Sequence, residues 1–79
     1  DNIFDYIELT PEHSIYEIPV PEGWIGRSII EMNIRKKYNI SILAVKYNDT
    51  LHPLPGADYT FKANDELIIL GANINRFVY

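Results

Sequence analysis

The 79-residue chain contains no cysteine. That absence removes disulfides, thiolate metal sites and cysteine nucleophiles together. Histidine is nearly as scarce: only His13 and His52 occur, at no metal-ligand spacing from one another. There are four glycines, and Gly23 and Gly26 form a G-x-x-G pair. The third glycine and preceding strand of a dinucleotide fingerprint are missing, so no phosphate-cradling loop is expected. Ser14, Ser28 and Ser41 lack a G-x-S-x-G setting. With no nucleophile, base and orienter to name, the expectation is that the chain is not an enzyme and holds no metal or cofactor. An unrelated small hydrolase is the weakest reading. No apolar run approaches the roughly 18 residues that span a bilayer, and no signal peptide is visible. Basic residues are outnumbered seven to eleven, for a net charge of −4. This balance argues against binding to a nucleic acid polymer.

What remains is a folded domain. Hydrophobic residues make up 47% of the chain, too many for a disordered tail. A domain of this length buries only about 60% of its unfolded surface, so partner contacts are expected to add stability. The chain begins with Asp1 rather than Met and is expected to be excised from something longer, of cytoplasmic origin.

The segment from Gly23 to Lys46 organises the rest. Ile30, Ile34 and Tyr38 fall at i, i+4 and i+8, and Ile29 and Met32 widen the stripe. This spacing predicts one amphipathic helix over Gly26 to Tyr38. Ser28 with Glu31 fits an S-x-x-E capping box. Arg35, Lys36 and Lys37 crowd the last turn, where cations offset the helix dipole. Asn39 is suited to the left-handed stop. The apolar run Ile40 to Val45 then predicts a buried strand. Ile30 and Ile34 are expected in the core. Trp24 and Ile25 are read either as the staple before the helix or as dimer surface.

Two strands are expected ahead of the helix. The first, from Asn2 to Leu9, is expected to be covered in part on both faces. The second runs from Ser14 to Val20, with Pro19 at a strand end or a sheet edge because proline cannot donate to a ladder. Beyond the core unit, Tyr47 to Thr50 reads as a tight hairpin and Leu51 to Leu54 as a short returning strand. Tyr59 to Phe61 reads as a brief extended piece, Asn64-Asp65 as a structural turn, and Glu66 to Gly71 as an apolar, central strand. Residues 73–79 are expected to form a tail. The reading is α+β, ββαβββ, with a single helix packed on a small mixed β-sheet, forming one domain over 1–79.

These residues carry a resemblance in their order and spacing: Gly26-Arg27-Ser28-Ile29 opening a helix, Ile42 to Lys46, a turn, His52-Pro53-x-Pro55, and Asn64-Asp65-Glu66-Leu67 through Gly71. Together they resemble the TrkA-C domain, also called RCK C. This is the C-terminal half of cytosolic potassium-transport regulators. The resemblance runs from about Ser14 to Gly71, and Asn64 stands where the family commonly has glycine. The run Ile29 to Val45 is most similar to the cytosolic RCK subunit of Ktr-type potassium transporters.

The resemblance implies a two-fold homodimer within an octameric ring beneath a membrane-embedded potassium transporter subunit, at the inner face of the cell membrane. It also implies a regulatory role, because a subset of such dimers binds cyclic di-AMP between subunits and thereby shuts down potassium uptake. On that implication, Arg35 is expected to meet phosphate. Ile29, Ile30, Ile40, Ile42 and Pro53 are expected to wall the adenines. Asn39, Ser41 and His52 complete the expected site. Relatives often carry Asn at the Ser41 position; Ser keeps a donor on a shorter arm. The helix or the strand starting at Ile40 is expected near the dimer axis. The alternative is a structural dimerisation module, of a gating ring or a cation antiporter, with no small ligand of its own.

Overall fold

The computed structural model describes residues 5–72. The elements are β1 (Asp5–Glu8), β2 (His13–Pro19), a 3-10 turn at Glu22–Trp24, α1 (Ile29–Met32), α2 (Ile34–Tyr38), β3 (Ser41–Tyr47), β4 (Thr50–Pro53) and β5 (Glu66–Ala72). The strands form one sheet in the order β1-β2-β5-β3-β4. The α+β class and the ββαβββ order hold, and β5 is central as its continuous apolarity implies. The pairing is simpler than the mixed sheet expected, because all four neighbouring pairs are antiparallel. The expected tail over 73–79, and Asn2, Ile3 and Phe4 of the expected first strand, lie outside the described residues.

Alternation along β2 and β5 explains the layers. Ser14, Tyr16 and Ile18 are buried, as are Leu67, Ile69 and Gly71, while their neighbours are half-buried, except His13, which is exposed at the start of β2. One sheet face therefore carries the core. Tyr16, Ile18, Trp24, Ile34, Ile40, Val45, Phe61, Leu67 and Ile69 pack there. Trp24 is buried, with its ring 5.3 Å from Tyr38 and 5.5 Å from Phe61. Ile25 remains 39% exposed. β1 departs from expectation: all four of its residues are exposed, as befits an edge strand with a neighbour on one side only. Pro19 closes β2 opposite Glu66, beyond the reach of β1, so its missing donor leaves no gap in the β1 ladder.

The expected single helix is two. Ser28 makes the predicted capping box with Glu31, but Asn33 adopts φ 52° and ends α1 after one turn. A left-handed residue reorients the chain, so the i, i+4, i+8 stripe does not continue across it. Ile34 is buried at 2% exposure, whereas Ile30 is 68% exposed and is not core. Asn39 stops α2 at φ 58°, as its residue type suggests. The hairpin at Asn48-Asp49 has φ 53° and 59°, the paired positive values of a type I′ turn. Thr60 makes only an isolated bridge to Ser28.

Candidate ligand-binding site

The left-handed stop at Asn39 turns the chain directly from α2 into β3. The end of the helix and the start of the strand thus share one corner. A groove of about 210 Å³ opens there, lined by Ile29, Ile34, Arg35, Ile40, Ser41 and Ile42, with Pro55 closing one side. A second groove of about 200 Å³ shares Arg35, Ile40 and Ser41 and continues past Asn39 to His13, Leu70 and Gly71. The two form one trough with Arg35 at its middle.

Charge is distributed unevenly around this trough. The chain has eleven acidic residues, yet no carboxylate lines either groove. Four other cations are engaged: Arg27 pairs with Glu31 at 3.4 Å, Lys46 with Glu17 at 3.4 Å, Lys37 lies over the Tyr38 ring, and Lys62 lies over the rings of Tyr59 and Tyr47, while Lys36 lines neither groove. Among the described residues, Arg35 has no hydrogen-bond or ion-pair partner. An unpaired guanidinium over an apolar groove is suited to a planar, bidentate anion contact beside an apolar ligand body.

Local packing fixes the groove floor. Ile40 is buried at 2% exposure against Gly71 of β5. A Cβ at Gly71 would lie 2.7 Å from Ile40 Cγ2, so only glycine allows this approach. β3 then carries a bulge between Ile42 and Ala44, with Leu43 as the extra residue. Before the bulge, Ile42 opposes Ile69 on the core face; after it, Val45 opposes Leu67 on the same face.

Of the residues expected in the site, Ile29, Arg35, Asn39, Ile40, Ser41 and Ile42 meet in this trough. Ile30 is exposed on α1 and lines neither groove, and Pro53 lies on β4 opposite Ala44. His52 stacks on Tyr47, with ring centroids 3.8 Å apart, and its Nε2 is buried without a partner among the described residues. Ile34, Pro55, His13, Leu70 and Gly71 line the trough although sequence reasoning left them out. The proline in the lining is the second of the His52-Pro53-x-Pro55 segment. His13 and Gly71 arrive through strand order, which no local pattern displays.

A second polar cluster lies elsewhere. Asp65 is 2% exposed, and its Oδ2 accepts from the Tyr59 hydroxyl at 2.5 Å and the Lys62 N–H at 2.9 Å. Burial, then the Asp65 hydrogen bond and charge, push the Tyr59 hydroxyl well above the usual tyrosine range. Tyr16 is also raised, chiefly by burial, and its hydroxyl donates to the Ala72 carbonyl.

The fold is a small α+β module with a cationic, largely apolar trough at one corner. Residues 14–73 match the family model described as the TrkA-C domain, and the chain belongs to that family. It is 35% identical over 79 residues to Ktr system potassium uptake protein C of Bacillus subtilis (strain 168), and 34% identical over 79 residues to Ktr system potassium uptake protein A of the same organism. Each match covers 98% of this chain but 36% of the relative, so the chain spans about a third of their length. Among solved structures it resembles the RCK C domain of the potassium transport protein KtrA in complex with cyclic diadenosine monophosphate. That match has a TM-score of 0.73 and 36% identity, over 82% of this chain and 79% of that one. The relatives are potassium-transport proteins, and the family is one of regulatory domains rather than enzymes. Among the described residues no helix is long and apolar enough to cross a membrane.

Proposed function

We propose that this chain is the ligand-sensing C-terminal domain of a Ktr-type potassium uptake regulator. Two copies bind one cyclic di-AMP between them, and binding lowers potassium uptake by a membrane-embedded transporter subunit. The observation that carries this reading is the unpaired Arg35 above a carboxylate-free apolar groove, in a chain 36% identical to a domain solved with that ligand.

The chemistry supports a shared site. Cyclic di-AMP has two phosphates and two adenines related by a two-fold axis. An isologous dimer offers each residue twice, once to each half. Arg35 takes a phosphate, Ile29, Ile40 and Ile42 wall an adenine, and Asn39 and Ser41 supply polar contacts. The trough is an open surface groove rather than an enclosed cavity, and a second copy across the two-fold axis would cover the ligand's exposed side. Ile30, His52 and Pro53 enter the site only through that second copy. Two Arg35 side chains near the axis repel when the site is empty, so ligand tightens the dimer as it binds. In the full-length protein the dimers assemble as an octameric ring at the cytoplasmic face of the membrane.

Calorimetric titration of the purified domain with cyclic di-AMP, with other nucleotides as controls, tests the reading. Saturable binding at one ligand per two chains is expected. A flat titration beside a stable dimer instead favours a structural dimerisation module. That second reading draws on Ile30, whose 68% exposure a dimer contact would cover with or without a ligand.

A further inference from the structure

His13 belongs by sequence to a break between strands, but the fold gives it a different setting. The order β2-β5-β3 places the start of β2 beside the end of β5 and the start of β3. His13 opposes Ala72, Ile15 opposes Leu70, and Leu70 opposes Ser41. Residues opposite one another in antiparallel strands share a face, as do residues two apart in one strand. His13, Leu70 and Ser41 therefore lie on one face, at the end of the trough away from Pro55, and Arg35 lines the same groove. Among the described residues, the His13 side chain has no hydrogen-bond partner, and neither do those of Asn39 and Ser41.

We propose that His13 is a second anion contact of this trough, closing on the ligand's phosphodiester from the wall opposite Arg35. The inference rests on the cyclic di-AMP reading and adds a residue to it. A phosphodiester has two non-bridging oxygens. Arg35 addresses one side of the group with its fork, and the imidazole donates to the other. The apolar groove beyond Arg35 then holds the base, and the groove with His13, Asn39 and Ser41 holds the phosphate and sugar. Such a division fits the linings: Ile29, Ile34 and Ile42 lie only in the first groove, His13 and Asn39 only in the second, and Arg35, Ile40 and Ser41 in both.

An imidazole changes charge across the range in which phosphodiester and guanidinium do not. The charges around His13 leave it room to act. Glu12 precedes it in sequence, Glu8 opposes Ser14 and so lies on the other face of the β1–β2 pair, and Ala72 opposite is uncharged. Glu17, further along the same face, is held by Lys46 at 3.4 Å. Arg35 is the cation across the groove, and a bound phosphate offsets both positive groups. Affinity should therefore rise as pH falls from 8 to 6.

The test is calorimetric titration of the intact chain with cyclic di-AMP at pH 6 and pH 8 and constant ionic strength. The parent should bind several-fold more tightly at pH 6. His13→Gln, which keeps a donor but never a charge, should lose that pH dependence and bind about fivefold more weakly at pH 6, as expected for one lost charge-assisted contact. His13→Lys should bind at pH 8 as the parent does at pH 6. His52→Gln should keep the parent's pH dependence. Matched thermal unfolding of His13→Gln and parent separates contact from misfolding. If Arg35→Ala weakens binding while His13→Gln matches the parent at both pH values, His13 is no contact and the cyclic di-AMP reading stands. If the parent binds at neither pH, both ideas fall together.

Discussion

Around Asp65, polar side chains answer one another through its Oδ2, although its Oδ1 is buried without a partner among the described residues. Tyr59 donates to its carboxylate, the Lys62 N–H does the same, and the Lys62 ammonium lies 4.6 Å from the Tyr59 ring centroid and 4.9 Å from that of Tyr47. Around Arg35 they do not: Arg35, Asn39, Ser41 and His13 share one trough with no partner for their side chains among the described residues. Both clusters sit at corners where a turn meets a strand, and both contain a cation. A polar group satisfied inside the fold stabilises it and has little left for a ligand. One left unsatisfied on a concave surface adds little stability and is available for recognition. Substitutions in the first region should therefore read out in stability, and those in the second in binding.

Asp65→Ala is the most severe challenge to that division. It strands the Tyr59 hydroxyl and the Lys62 N–H, and should cost about 3 kcal/mol of unfolding free energy, given charged hydrogen bonds of about 1.5–3 kcal/mol. Chemical denaturation measures it. A loss under about 1 kcal/mol would mean the cluster is not the structural one.

Gly71→Ala probes where the two regions meet. The added methyl must displace Ile40, and such overpacking should cost about 1–3 kcal/mol. Because Ile40 also floors the trough, ligand affinity should drop with stability. Parent-like affinity in a destabilised Gly71→Ala variant would detach the trough floor from the site.

Arg35→Ala should behave as the inverse of Asp65→Ala. Cyclic di-AMP affinity should fall at least about tenfold, equivalent to about 1.4 kcal/mol, with stability within about 0.5 kcal/mol of the parent. Lys36→Ala is the control, since the next helical residue points roughly 100° away. Equal binding by Arg35→Ala and parent would falsify the assignment.

The mildest expected effect concerns pH. The Tyr59 hydroxyl is raised in the folded state, mainly by burial and then by Asp65. Stability is then fully present below the ordinary tyrosine value of about 10 and is lost as pH rises above it, because the unfolded chain ionises first. Tyr59→Phe should cost about 1 kcal/mol at pH 7, the worth of one hydrogen bond, and should flatten the alkaline decline. Melting temperatures from pH 8 to 11 would show an unchanged slope if Tyr59 were not responsible.

Most of the fold was legible because its signals are local. Ser28 and Glu31 spell a cap, Asn48-Asp49 a tight hairpin, and Glu66 to Ala72 a strand too apolar for an edge. The helix was misjudged at one residue. Asn33 reads as an ordinary polar position on a helical wheel, and nothing nearby announces that it will go left-handed. That turn sent Ile30 to solvent and Ile34 to the core. The candidate trough was legible where it follows the chain, at Ile29, Arg35 and Asn39 to Ile42, though not at Ile34. It was illegible where strand order supplies the wall, at His13, Leu70 and Gly71. Pairing partners distant in sequence leave no periodicity to read.

The extra residue in β3 gives that strand two phases. Ser41 and Ile42 keep their faces by one count, and Ala44 to Lys46 keep theirs by another, with Leu43 absorbing the slip. The stretch that lines the trough and the stretch that carries Val45 are thereby set in separate phases of a single strand. Exchanges at Ser41 should change the trough lining without shifting Val45 from its place over Leu67. That single inserted residue is a joint at which the stretch before it can vary while the stretch after it stays fixed.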